Sequence, residues 1–497
     1  MKEEKLYHEL LTIEDRVGLH ERGELKSVTD YVDLVREVEW EQEWDPRARS
    51  MSQIHDVSGS IWSDAIEQCL AENGSVYIPQ IDIPIYIDRP IVLRSGDRLV
   101  VHPETEIRLK VGAVGTCMVR NAQVVLSQDS PVQICDGADE DILVEGGIWC
   151  DQNNEGRGRG GEYDQEGSIP GSMSIFLFHN ISRIAVRNVV FRDCSAFAVQ
   201  LGNAIDYIVE DITFDETADG IHIEGPSERG IIRHIYGKTN DDAIALNAWD
   251  WQTSSITFGT ITDVLIEDIE MQPGYTWSEL RLLPGTKIFS TGETLDCDIR
   301  RCIFRNIRGI HTFKMYDQPN VGNPEGDFAD PIGKMSDLFF SDIVVDGIGQ
   351  SEYYDSSSDG VLDICTDIDG ISIRNVHFNY IPGQTDMAPY LVSVGPKSLT
   401  WHRTPSDESG SCWRPPVKEN AEDEWIDVYN PNANPVVKGL VVKGICMPDQ
   451  NNPGSYVPHV DLAALINERQ STPNPDFPNT MPRGGTGSGK VIDLDFG

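Results

Sequence analysis

Basic residues are scarce in this chain: 40 lysines and arginines stand against 81 aspartates and glutamates over 497 residues, a net charge of -41. Such a surface repels nucleic-acid backbones and anionic membranes, which excludes both as partners, and a polyanionic substrate would need a locally basic groove. Long apolar runs are missing too. No stretch of about 18 apolar residues offers a membrane span, and the opening "MKEEKLYHELLTIEDRVGLHERGELK" lacks the apolar core of a secretory leader. The ten cysteines form no CxxC pair and no ligand-type cluster, which argues against a zinc site or a disulfide framework. Several lie in strand-like runs such as "VLDICTD", where a buried free thiol is expected. Reduced thiols and no leader predict a cytoplasmic protein, with secretion left open for a chain trimmed of its leader.

Asn-Gly hairpin turns are sparse as well, which disfavours a sandwich of antiparallel strands. A phrase with two apolar residues around polar ones recurs instead. It occurs as "VEGGIW" from Val144, "VRNVVF" from Val186, "VEDITF" from Val209, "IRHIYG" from Ile232 and "IEDIEM" from Ile266. It continues as "IRRCIF" from Ile299, "FSDIVV" from Phe340, "IRNVHF" from Ile373 and "VKGICM" from Val442. Two consecutive spacings are 23 residues and others are 33, 34 or 41. A propeller blade needs roughly 40–50 residues, so the short intervals predict an all-β solenoid, a parallel β-helix in which each coil adds one rung. The expected division is a helical appendage over residues 1–50, a parallel β-helix domain over 51–470 and a flexible C-terminal tail over 471–497. Within the appendage "SVTDYVDLVREVEW" has helical spacing and a cap at Ser27 or Thr29. "SDAIEQCLAENG" predicts a short helix that ends at Gly74 and closes one end of the stack. The tail's "GGTGSGKV" has phosphate-loop spacing but lacks Ser or Thr after Lys490.

The phrase sets a register for the strands that follow it. Asp219 lies ten residues after Val209 and Asp242 ten after Ile232, so the two acids stack on neighbouring rungs about 4.8 Å apart, with Asp241 alongside. Strand alternation then turns Gln200, His222, Ala245, Arg281, Lys314, Asp363 and Ser393 outward in one column, joined two positions on by Glu224, Asn247 and Tyr316. Lone aspartates are common in solenoid turns for backbone reasons. Three at matching register beside His222, Arg281 and Lys314 point to a site. Trp249 and Trp251 in "NAWDWQ" are placed to stack on a ligand ring or to pack a loop.

These residues resemble the glycoside hydrolases of family 28, the polygalacturonase-like enzymes. "TADG" at 217–220 and "NDDAIALN" at 240–247 are similar to the family's two acidic turns, and "GIHTFK" at 309–314 to its Arg-x-Lys, with Thr312 in the arginine's place. "GGIWCDQNNEG" at 146–156 resembles a further family segment, whereas "SELRLLPG" at 278–285 stands where a Gly-His-Gly would be. The resemblance implies a right-handed β-helix and hydrolysis of a glycosidic bond in an oligo- or polysaccharide, which uronic acid would make pectin-like. It implies Asp241 or Asp242 as general acid, Asp241 preferred, with Asp219 and the remaining acid activating water in an inverting reaction. His222, Glu224, Asn247, Trp249, Arg281, Lys314, Tyr316 and Asp363 are the expected substrate contacts. The long insertions at 151–173 and 401–425 are expected to wall the groove and favour attack at chain ends. No cofactor or metal is expected, though clustered carboxylates also suit calcium, which a pectate-lyase-like mechanism would use. The alternatives to hydrolysis are a lyase, transferase or epimerase using the same groove, and a non-catalytic glycan-binding β-helix. A carbohydrate is the expected partner, and solenoid edges leave homo-oligomers open.

Overall fold

The computed structural model describes residues 2–18, 24–41, 44–45, 50–51, 57–111, 113, 117–124, 139–151, 174–249, 257–272, 278–288, 291–316, 333–346, 360–384, 387–396, 398–403, 424–429, 434–470 and 487–497. Parallel pairing dominates. Asp139–Cys150 lies between Arg98–Leu109 and Ser174–Thr239, and Ile261–Met271, Ile299–Arg308, Lys334–Val345, Asp367–Phe378 and Val436–Pro448 follow in sequence order. Each strand pairs with the segment one coil away, which defines a parallel β-helix; crossovers between parallel strands of one sheet take the right-handed sense. Ser174–Thr239 runs through successive coils, and its side chains meet their equivalents 23 residues away, as in Arg229 with Asp206 and Asn203 with Asn180. The interior is one continuous column of Ile, Val, Leu and Phe.

The corners explain why this sequence coils. One residue per rung takes a left-handed backbone at the same place: Asp141, Arg183, Asp206, Arg229, Asp263, Arg301 and Asp337, with glycine at 370 and 439. Side chains at positive φ are strained unless short and polar. Here the column alternates in charge, and Arg183 reaches Asp141 at 2.9 Å, Arg229 reaches Asp206 at 2.7 Å and Arg301 reaches Asp263 at 2.6 Å. Neighbouring rungs are thereby matched in sign as well as shape.

The pairing corrects one register. Ile266 pairs with Phe304, not with Ile299, and Phe304 pairs with Phe340. The phrase on that rung is therefore "FRNIRG", and the interval of 41 residues counted from Ile299 is a misalignment: Ile299 pairs with Ile261, five residues earlier in its strand.

At the start of the stack α3 (Ser63–Asn73) ends on Gly74, whose φ of 63 makes it a left-handed C-cap. The appendage divides differently from expectation. Helices α1 (Lys2–Leu11) and α2 (Ile13–Val17) bury Leu6, Leu10, Ile13 and Val17 on an outward apolar stripe that includes Ala185, Ile208, Ile231 and Leu265. In "SVTDYVDLVREVEW" only Val28–Leu34 is helical, as a 3-10 turn capped by Ser27, and Arg36–Trp40 is a strand antiparallel to Val57–Ile61. Of residues 471–497 the structure describes 487–497, and these are not a free tail: Lys490–Ile492 pairs with Val436–Lys438. No disulfide joins the described cysteines, and burial pushes the Cys69 and Cys117 thiols up to about 11. Among the described residues no helix is long and apolar enough to cross a membrane.

Candidate active site

A ladder of parallel strands, Asp242–Asn247, Glu279–Leu283, Phe313–Tyr316, Gly360–Cys365 and Tyr390–Val394, carries the outward column in the register that alternation predicts. His222 pairs with Ala245, Ala245 with Arg281, Arg281 with Lys314, Lys314 with Asp363 and Asp363 with Ser393. Where its strands begin, the rungs approach closely: a Cβ on Gly220 would lie 2.1 Å from the Ala243 carbonyl oxygen. Glycine after Asp219 therefore lets the two acid-bearing turns stack. Asn240 N donates to Thr217 O at 2.9 Å, and Thr239 Oγ1 lies 3.0 Å from Asp241 O and 2.8 Å from Ser278 Oγ, which fixes the second turn.

Asp219, Asp241 and Asp242 come together, all at most 4% exposed. A fourth acid joins them that sequence reasoning missed. Glu279 is the partner of Asp242 across the next rung boundary, displaced by a bulge, and one oxygen from each of Asp241, Asp242 and Glu279 lies within 4.8 Å of the others. Counting back from Arg281 without the bulge puts Ser278 there instead. The same closeness links oxygens of Asp219 and Asp242 with a ring nitrogen of His222.

Two cations answer the acids. Arg281 Nε lies 3.0 Å from Asp242 Oδ2, and Lys314 Nζ contacts Glu279 Oε2. A metal ion placed among Asp241, Asp242 and Glu279 would face these charges. Burial raises the Asp242 carboxyl well above the usual carboxylate range; Arg281 opposes the rise, and Asp241, Asp219 and Glu279 reinforce it. That direction favours the protonated form of Asp242 over the carboxylate.

His222 is set by its neighbours. Its ring stacks on Phe197 with centroids 3.9 Å apart, and Asn247 Nδ2 lies 3.3 Å from its Nδ1. An amide donating to Nδ1 leaves the neutral ring's proton on Nε2, which is 4.0 Å from Asp219 Oδ2. Glu224 pairs in register with Asn247 but accepts from Gln200 Nε2 at 2.5 Å, and Gln200 Oε1 accepts from Ser174 at 2.9 Å. That chain of bonds ties rungs together rather than reaching outward.

The remaining expected contacts lie elsewhere. Trp249 is in the interior cluster, 4% exposed with Phe258 tilted 6.5 Å away, so it packs rather than stacks on a ligand. Asp363 sits in the column beyond Lys314, but its Oδ1 accepts from Arg469 at 2.9 Å. Tyr316 pairs with Cys365 in its strand; its side chain lies outside the described residues, as do Trp251 and most of the insertions at 151–173 and 401–425.

No family model and no curated protein matches the chain. Solved structures do align with it. The surface adhesin PfbA of Streptococcus pneumoniae is 12% identical over 95% of this chain and 99% of that one, with a TM-score of 0.46. An exopolygalacturonase from Thermotoga maritima is 11% identical over 90% and 97%, with a TM-score of 0.42. A tailspike mutant of the E. coli bacteriophage HK620, in complex with a pentasaccharide, is 10% identical over 86% and 64%, with a TM-score of 0.48. Likenesses this distant leave the chemistry to the chain's own side chains.

Proposed function

We propose that the chain is a glycoside hydrolase acting on an oligo- or polysaccharide, with Asp242 as general acid and Asp219 and Asp241 as the acids that activate water. The observation that carries this reading is Asp242 itself, 1% exposed and set among three other carboxylates, a setting that raises its pKa and favours the proton a general acid must hold. A proton on Asp242 passes to the glycosidic oxygen as the bond to the anomeric carbon breaks. Water adds to that carbon and gives its proton to Asp219 or Asp241, so the pair ends the cycle one proton transfer from its starting state. Asp242 is chosen over Asp241 because it is the more deeply buried, 1% against 4% exposed, and has acids on both sides, Asp219 in one set and Asp241 with Glu279 in the other. Acids separated by less than 4.8 Å at their nearest oxygens sit closer than the inverting separation of about 6.5–9.5 Å, so the inverting outcome draws no support from spacing.

The test is a screen of plant and microbial oligosaccharides with proton NMR of the first anomer released. Turnover that disappears in Asp242→Asn supports the reading. A protein that binds glycans and cleaves none, with Asp242→Asn binding them unchanged, would instead be a glycan-binding β-helix.

A further inference from the structure

We infer that the sugar ring facing Asp242 is a neutral, hydroxyl-bearing one and not a uronic acid. The inference takes its location from the hydrolase reading above and adds the substrate class.

Recognition of a uronate needs a cation that no acid of the same face already engages. Among the described residues the cations of this face are Arg281, Lys314 and, toward the C-terminal end, Arg469. Each already meets an acid of the same face: Arg281 Nε with Asp242 Oδ2 at 3.0 Å, Lys314 with Glu279, and Arg469 Nη2 with Asp363 Oδ1 at 2.9 Å. Arg281 and Lys314 are 8% and 9% exposed, so water does little to screen these pairs from a ligand.

The balance of charge agrees. Asp219, Asp241, Asp242 and Glu279 surround two cations, and protonating Asp242 still leaves three carboxylates against two. A ligand carboxylate brought among them meets like charge at short range in a buried setting. Thr312, which stands where the resemblance would put an arginine, is 1% exposed, and its Oγ1 lies 3.3 Å from Val361 O.

Asp242 Oδ1 supplies the positive half. It is buried and makes no hydrogen bond among the described residues. Sugar hydroxyls both donate and accept, so a neutral ring satisfies this atom in either protonation state. A carboxylate satisfies only the protonated one.

The experiment compares matched trisaccharides that differ only at C6, galactose against galacturonate and glucose against glucuronate. Titration calorimetry reads binding to the full chain, and NMR reads cleavage. We expect the neutral member of at least one pair to bind about tenfold tighter than its uronate. Glu279→Gln, which releases Lys314, should raise uronate affinity by about tenfold. Neutral binding without cleavage would remove the hydrolase reading and leave this inference standing. A uronate that binds as tightly as its neutral partner, or a Glu279→Gln protein with unchanged uronate affinity, overturns the inference; if that uronate is cleaved, the hydrolase reading survives it. Binding of no trisaccharide from either series overturns both.

Discussion

Arg281 and Asp242 face each other across a rung boundary, Nε to Oδ2 at 3.0 Å, with both side chains at least nine-tenths buried. The guanidinium is what keeps the acid's proton affinity in check. Burial and three carboxylates push the Asp242 pKa up while Arg281 pulls it down. Removing the cation in Arg281→Met leaves only the raising influences. The alkaline limb of the pH–rate profile should then move to higher pH, measured as initial rates on the best oligosaccharide from the screen. A limb that stays put or moves down would separate Asp242 from that limb.

Asp242→Asn should lower the rate by about 10²–10⁴, the range for losing a general acid. Stability should change in the opposite sense at neutral pH. An acid whose folded pKa is raised holds its proton more tightly in the fold, so its contribution is present below the unfolded value of about 4 and is lost as pH rises toward the folded value. Above that window its charge is a burden that asparagine lacks. Thermal melts should show the variant more stable than the wild-type chain at pH 7 and equal to it below about pH 4. A variant less stable at pH 7 would contradict the direction of the shift.

The sequence made the coil and most of the acid cluster legible because both follow from spacing. Strand alternation is strict, so His222, Arg281 and Lys314 could be placed on one face from the repeat alone. Glu279 was hidden by a bulge between Asp242 and Ile244, which shifts its pairing by one residue. The misplaced phrase at Ile299 mimics the true one at Phe304 because both offer two apolar residues around charged ones. Trp249 was ambiguous for a related reason: it follows directly on a strand whose residues alternate, and the chain turns it inward. The alternating Asp and Arg corners carry no periodic apolar signal, so only the stacked rungs reveal them. In "SVTDYVDLVREVEW" the apolar spacing suits a helix, and pairing with Val57–Ile61 overrides that preference from Arg36 onward.

Arg469 closes the C-terminal end of the column. Its guanidinium donates to Asp363 Oδ1 and to the Gly395 carbonyl, each at 2.9 Å, and Asp363 is 2% exposed. Arg469→Met removes the cation of that pair, and breaking a buried pair from one side costs about 3–5 kcal/mol. Urea denaturation should show a loss of that order, and Arg469→Met with Asp363→Asn together should recover most of it. If the double variant is no better than the single, packing of the arginine stem rather than charge holds this end.

Helices α1 and α2 have too few residues to persist alone in water, where isolated helices shorter than about 12–15 residues are marginal. Their order comes from the stripe they cover and from the charges beside it: Glu14 meets Arg233, Glu9 meets Arg301, and the Arg305 guanidinium lies 4.3 Å from the Tyr7 ring centroid. Leu10, 2% exposed, is central to that contact. Large-to-small changes at such sites cost about 2–5 kcal/mol, but the coils beneath have their own core. Leu10→Ala should therefore release residues 2–18 without unfolding the solenoid. Hydrogen exchange should show lost protection in α1 and α2, with the strand Asp242–Asn247 as protected as before. Uniform loss across both would mean that the helices and the coils form one cooperative unit.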